Sequence, residues 1–246
     1  MTPRFDKADG DMLHKQVSDY VREKIYSKEW GVDEPIPSEH ELMDMLQLSR
    51  GTVQKGIRQL VDEGLLVKQR GRGTFVTQPV MTRPSSNRLF SFGESMSAQG
   101  IEYVTRVVEH RVERASAICA QNLGIQAGDN HLYLVRVRYV KRLPVMLIES
   151  HLSLNACPGL DEADLENEVL FAVVERLSGQ GVSRSEVSYS ARTVGRRRGE
   201  WLRCDEHSPV LVMDQLVYLD DGAPIEWGSV WMPANRCVIS SQTHRE

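Results

Sequence analysis

Apolar positions set the frame of the chain. Leu13, Val17, Tyr20, Val21 and Ile25 recur at helical spacing, which predicts an amphipathic helix of about four turns. Trp30-Gly31 and the prolines Pro35 and Pro37 stop it. Ser38, followed three residues on by Glu41, forms a capping box and predicts a short second helix through Leu42, Met45 and Leu46. Gln47-Leu48 then turns the chain, and Ser49 caps a third helix that buries Val53, Ile57, Leu60 and Val61 and ends at Gly64. LLVKQ (65–69), the turn RGRG (70–73) and TFV (74–76) predict a two-stranded hairpin.

Residues 77–88, TQPVMTRPSSNR, lose apolar periodicity and carry two prolines and two serines, which predicts a connecting segment. The pattern then becomes that of a β-rich α+β domain. Strands are predicted over 104–116, 131–141 and 143–152, the last two an antiparallel pair across a tight turn. A helix is predicted over 165–178, with Leu165, Val169, Ala172, Val173 and Leu177 on one side. A strand over 185–194, a short helix over 199–204 and a hairpin over 210–233 turning at Asp221-Gly222 complete the order. The domain expectation is therefore 1–79, a linker at 80–88, and 89–246.

Composition narrows the class without naming it. The 246 residues are 41% hydrophobic and 26% charged, an ordinary globular mixture that excludes a disordered or collagenous chain. The longest apolar runs, LVYL (216–219) and VMLI (145–148), fall far short of the ~20 residues a membrane span needs, so no membrane partner is expected. The charged start MTPRFDKADGDML has no secretory apolar stretch, and a cytoplasmic location is expected. The four cysteines, Cys119, Cys157, Cys204 and Cys237, form no CxxC pair, and the seven histidines show no paired spacing. No metal and no cofactor are expected.

Charge distribution says more than net charge. Residues 45–72 hold six Lys or Arg against two Asp or Glu, a net of +4 within a chain of −4, so the remainder carries −8. The third helix concentrates Arg50, Gly51, Thr52, Gln54, Lys55 and Arg58 on the face opposite its apolar stripe. Arg and Gln reach base edges through bidentate contacts, while Thr and Lys reach phosphates. The hairpin tip presents Arg70 and Arg72 on glycines, suited to a minor groove. A lone basic helix face is usually just solvated; helix-turn-helix plus a basic wing is specific.

These residues carry a resemblance. PSEHELMDMLQLSRGTVQKGIRQLVDEGLLVKQRGRGTFV (37–76) resembles the winged helix-turn-helix of the GntR superfamily of bacterial transcription regulators, with its Pro-Ser-Glu-x-x-Leu, Ser-Arg-x-Thr and Gly-x-Gly-Thr-Phe-Val elements in order. The resemblance places Arg50, Thr52 and Gly71 at DNA-contacting positions. His40 and Gln54 stand where arginine is frequent, which implies a weaker phosphate clamp and an altered base preference. The candidate DNA-facing set is Ser38, His40, Ser49, Arg50, Gly51, Thr52, Gln54, Lys55, Arg70, Gly71 and Arg72.

The second domain resembles the HutC-type effector domain called UTRA, an antiparallel-sheet domain with a chorismate-lyase-like fold, through LFSF, VRVR, IESHL and APIEWGSVWMPANR. The resemblance carries effector positions onto Ser91, Phe92, Arg136, Arg138, Glu149 and Glu226, and onto Ser183 and Ser185. The residues give a reason of their own. Leu132, Leu134, Arg136, Arg138 and Val140 share one strand face. Two guanidiniums on an apolar face are unfavourable if buried without an anion, and they suit a phosphate or carboxylate. Ion pairing with Glu149 or a neighbouring strand is the structural alternative.

The RRR run at 196–198 reads as a solvated turn. No P-loop and no GxSxG is present, so an enzyme is not expected. The function expected is a ligand-responsive repressor of a catabolic operon, a homodimer on a near-palindromic operator, released by a small anion such as a phosphorylated sugar. The alternatives are a constitutive DNA-binding protein whose second domain only dimerises, and a lyase-like enzyme.

Overall fold

The computed structural model describes residues 13–82 and 91–240. Its chain forms two compact units, Met1–Val80 and Met81–Glu246.

In the first unit, helix α1 spans Leu13–Tyr26, α2 Glu39–Leu46 and α3 Arg50–Asp62, followed by strands β1 (Leu66–Gln69) and β2 (Gly73–Val76). Local chemistry sets each boundary. The Ser38 hydroxyl accepts from the Glu41 N–H at 3.2 Å, and the Glu41 carboxylate accepts from the Ser38 N–H at 2.8 Å. Gln47 turns left-handed (φ 54°) to end α2, and Ser49 accepts from the Thr52 N–H to start α3. Val17, Val21, Leu42, Leu46, Val53, Ile57 and Leu60 make the core between the helices. Val61, expected inside, is only half-buried; Gly56 takes the position facing α1. A methyl group there would lie 2.8 Å from the His14 carbonyl oxygen and from the Val17 side chain.

The short strand β3 (Val80–Thr82) begins where a linker was expected, and it pairs with β10 (Cys237–Ile239). The remaining linker positions, 83–88, lie outside the described residues.

The second unit is built on six antiparallel strands in the order β4-β5-β6-β9-β8-β7. They are β4 (Val104–Arg114), β5 (Asn130–Val140), β6 (Leu143–Ser153), β7 (Val182–Thr193), β8 (Pro209–Leu219) and β9 (Pro224–Pro233). The helices are α4 (Phe92–Ala98), α5 (Ala117–Leu123), α6 (Leu170–Ser178) and α7 (Arg196–Leu202). One sheet face packs Leu132, Leu134, Leu152 and Val217 against Leu170, Val173 and Val174 of α6. The other packs Tyr133, Val135, Val137, Leu147 and Val212 against Leu202 of α7. Strand β5 is therefore covered on both sides.

Several boundaries differ from the sequence expectation. The strand expected to reach 116 stops at Arg114, because the Ser116 hydroxyl caps α5 by accepting from the Cys119 N–H at 3.2 Å. The helix expected from 165 starts at Leu170, because the Asp164 carboxylate accepts from the Asn167 N–H and side-chain amide and holds a turn there. Its buried face is Leu170, Val173 and Val174, while Leu177 stays 37% exposed. Strand β7 starts at Val182, before the expected 185, and α7 takes in the RRR run as its first turn. Helices α4 and α5, seven residues each, were too short for periodicity to reveal.

Gly56→Ala is expected to destabilise the first unit by about 1–3 kcal/mol, because backbone of α1 rather than a mobile side chain must yield. Urea unfolding of the full chain followed through the Trp30 environment checks this; an unchanged midpoint would show that the helices separate freely.

Candidate functional site: a basic helix face and a buried arginine cavity

On α3 the side opposite the core exposes Arg50, Gly51, Lys55 and Arg58, with Thr52 and Gln54 half-buried. The Thr52 hydroxyl lies 2.8 Å from that of Ser49. Gln54 does not stand free: its amide nitrogen donates to Glu39 at 2.7 Å, and the Lys68 ammonium donates to the other oxygen of that carboxylate at 2.8 Å. The hydrogen bond from Lys68, then that from Gln54, holds the Glu39 carboxyl below its ordinary pKa. Glu39 thus ties the start of α2 to α3 and to the wing strand β1, and the carbonyl oxygen and second amide hydrogen of Gln54 are left for another partner. His40 is exposed on α2 with Nδ1 3.0 Å from Asp44, and Ser38 is committed to its cap.

Between β1 and β2, Arg70 and Arg72 are exposed. Gly71 and Gly73 carry φ of +76° and +115°, values that a side chain would strain. Arg72 lies over the Phe75 ring, 5.5 Å from its centre.

The second unit holds an open cavity lined by Ser91, Phe92, Arg136, Arg138, Ile148, Val169, Leu170, Phe171, Gln215, Glu226 and Val230. Strand register explains the lining. Arg136 pairs with Ile148, Ile148 with Val230, and Leu152 with Glu226, so these side chains share one sheet face. Gln215 enters opposite Gly228 from β8.

The electrostatics of this cavity are unbalanced. Arg136 and Arg138 are 4% and 6% exposed, and Glu226 is 1% exposed. Glu226 accepts from the Ser150 hydroxyl and, at 3.0 Å, from the Gln215 amide. An Arg136 Nη2 lies 3.9 Å from Glu226 and 3.5 Å from the Ser150 oxygen. Arg138 stacks over Tyr103, 5.1 Å from the ring centre, and Gly93 leaves room for its Nη2, which would stand 3.0 Å from a methyl there. Arg136 Nε, Arg138 Nε and Arg138 Nη1 are buried without a hydrogen-bond partner. Burial lowers the pKa of both guanidiniums; that of Arg138, next to Arg136, falls to about 10. A guanidinium keeps its proton in proteins, so the cavity sets two positive charges against one carboxylate.

Of the effector positions expected from sequence, Ser91, Phe92, Arg136, Arg138 and Glu226 line this cavity. Glu149 does not. It pairs with Val135, one residue out of phase with Arg136, so it points to the opposite face. There it accepts from Arg198 Nε at 2.8 Å and the Tyr133 hydroxyl at 3.4 Å. The ion pair considered between the two arginines and Glu149 is therefore excluded. Ser183 and Ser185 also fall outside the lining. They sit on edge strand β7, with three strands between them and β5, and Ser183 donates to the Leu219 carbonyl at 2.8 Å. The RRR run is no plain solvated turn: Arg197 reaches Glu109 and Arg198 reaches Glu149. Sequence reading missed Gln215, Ser150 and Tyr103. The first two were visible as polar residues within largely apolar strands, Gln215 beside Asp214 in VLVMDQLVYL and Ser150 between Glu149 and His151 in LPVMLIESHLS.

Residues 98–237 match the family model described as the UTRA domain, and residues 13–76 match that of bacterial regulatory proteins, gntR family. The HTH-type transcriptional repressor NagR of Bacillus subtilis is 27% identical over 214 residues, 87% of either chain. The histidine utilization repressor of Klebsiella aerogenes is 35% identical over 142 residues, covering 55% of this chain and 56% of that protein. The crystal structure of PhnF from Mycobacterium smegmatis is similar with a TM-score of 0.64 at 22% identity, covering 95% of this chain and 100% of that one, a likeness of fold.

Removing one partner of a buried charge set leaves the others uncompensated. Glu226→Ala is expected to destabilise the second unit by about 3–5 kcal/mol in urea, with Glu226→Gln falling between it and the unsubstituted protein. If Glu226→Ala unfolds at the same urea concentration as the unsubstituted protein, the carboxylate does not balance the guanidiniums.

Proposed function

The chain belongs to the gntR family of bacterial regulatory proteins and carries a UTRA domain, and from that membership we propose that it is a cytoplasmic transcriptional repressor of a catabolic operon. In this reading it binds a near-palindromic operator as a homodimer and leaves it when a small anion, such as a phosphorylated sugar or sugar derivative, enters the UTRA cavity. The relatives NagR and the histidine utilization repressor carry the name of repressor, which supports the regulatory half. The observation that carries the effector half is the pair Arg136 and Arg138, buried with unpaired N–H groups against the single carboxylate of Glu226. An anion with several oxygens accepts those donors and neutralises the excess charge. Ser91 and Gln215 add polar groups that suit hydroxyls on the same ligand, and Phe92 and Phe171 supply apolar walls. A domain that only dimerised would have no use for two cations taken out of water.

For DNA, Arg50 at the start of α3 and Thr52 beside it take the reading and positioning roles, with Lys55, Arg70 and Arg72 meeting phosphates or the minor groove. Ser38, His40, Ser49, Gly51 and Gly71 shape or flank that surface, and Gln54 acts through its carbonyl oxygen and second amide hydrogen. One recognition helix reads few base pairs, so a two-fold dimer doubles the site.

Arg50→Ala is expected to weaken operator binding by about 1–3 kcal/mol and to relax base discrimination. Arg72→Ala should weaken operator and random DNA alike and flatten the salt dependence. Gel-shift titrations at two salt concentrations separate them; equal, sequence-independent losses would remove Arg50 from base reading.

Calorimetry with hexose 6-phosphates and the matching free hexoses tests the effector. The phosphorylated form alone should bind and release operator, and Arg138→Ala should weaken it about tenfold to a hundredfold with operator affinity unchanged in its absence. Undiminished binding by Arg138→Ala would overturn the site; binding without release would overturn the switch.

A further inference from the structure

Behind the effector cavity, on the other face of the same sheet, three metal-ligating side chains converge. His131 on β5 and His151 on β6 are diagonal neighbours there, because His131 pairs with Ser153 and His151 with Tyr133. Their rings meet through His131 Nε2 and His151 Nδ1 at 2.9 Å. Helix α5 lays Cys119 over them, and ligand atoms of all three residues lie within 4.8 Å of one another. Cys119 and His131 are each 2% exposed, and His151 is half-buried.

We propose that Cys119, His131 and His151 bind a single cation of zinc's chemistry, with water in the fourth position. The donor set selects the metal class. A thiolate with two imidazoles suits zinc or cuprous copper and excludes magnesium and calcium, which take oxygen ligands. In a tetrahedral zinc site the ligand atoms stand roughly 3.3–3.8 Å apart. The present cluster brackets that span, with the imidazole pair slightly tight and the whole set slightly wide.

Two further features fit. His151 is fixed by stacking on Trp227, with ring centres 4.9 Å apart and planes at 25°, so little rotamer freedom is lost on ligation. Glu113, which pairs with His131 across β4 and β5, places a negative charge that acts on Cys119, His131 and His151 alike. Loading puts the cation where the imidazole–imidazole hydrogen bond now runs. The ring carrying that N–H passes to its other tautomer, the Cys119 proton leaves to solvent, and one proton is released per cation.

Sequence spacing hid the set, since the ligands are 12 and 20 residues apart and come from one helix and two strands. Cys119 has no place in the effector reading, and the site stands whether or not the chain is a repressor.

The test uses the full chain, reduced and stripped of metal, titrated with Co²⁺ as a zinc probe in the absence of DNA and effector. One Co²⁺ per chain is expected, with a thiolate-to-cobalt charge-transfer band that Zn²⁺ then abolishes by displacement. Cys119→Ser should lose the band and weaken Zn²⁺ in competition with a chelating dye by more than the ~10–100-fold that a lost supporting contact costs. His151→Asn should weaken Zn²⁺ likewise, while Cys204→Ser and His207→Ala leave stoichiometry and band unchanged. Near-ultraviolet circular dichroism confirms that the variants fold. A band that survives Cys119→Ser, or Zn²⁺ bound no more tightly by the unsubstituted protein than by the folded Cys119→Ser variant, would overturn the site.

Discussion

Two guanidiniums taken out of water beside one carboxylate govern how the second unit is built. Charge at that depth is tolerated only when geometry supplies partners, and the sheet supplies them through register. Ser150 on β6 and Gln215 on β8 both donate to Glu226 on β9, which stands near Arg136. The strands between must therefore approach closely, and Gly228 permits it: a methyl group there would fall 2.4 Å from the Glu149 carbonyl oxygen. Arg236 shows what a structural buried arginine looks like in the same molecule. It donates to the carbonyls of Pro144, Leu202 and Arg203 and ties the start of β6 to the end of α7. Arg136 Nε, Arg138 Nε and Arg138 Nη1 are instead buried with no hydrogen-bond partner among the described residues.

The first unit uses its cations in the opposite way. Arg50, Lys55, Arg58, Arg70 and Arg72 remain exposed and hydrated. Their attraction is long in reach but screened by salt, whereas the cavity arginines act at contact distance and are screened little. The exposed face still needs order. Glu39 provides it by holding Gln54 of α3 and Lys68 of β1 together, so the recognition helix and the wing share one anchor.

How much of this was legible in the sequence follows from the distance over which each signal acts. The caps at Ser38 and Ser49, the left-handed Gln47 and the glycine wing are decided within four or five residues, and the first unit was read nearly element by element. Arg136, Arg138 and Glu226 could be picked out because polar side chains interrupt apolar strands. Glu149 interrupts one too, yet only the pairing of Val135 with Glu149 tells which face it takes, and pairing is not local. Ser183 and Ser185 lie outside the cavity lining for the same reason at larger scale, being set apart by three intervening strands. The start of α6 at Leu170 turned on the Asp164 turn competing with helical periodicity. The Cys119, His131 and His151 cluster is the extreme case: it exists only after a helix is folded across two strands.

The most direct measurement is of the cavity guanidiniums themselves, by ¹⁵N nuclear magnetic resonance of the arginine Nε–H groups in the full chain, with Arg136 and Arg138 assigned by substitution. Addition of a phosphorylated ligand at constant ionic strength should shift both resonances together and saturably, while chloride at the same ionic strength leaves them in place. If the Arg136 and Arg138 resonances stay fixed under phosphate, phosphate monoesters and carboxylates while the exposed arginines respond to salt, the cavity is a closed structural charge cluster and not an anion site.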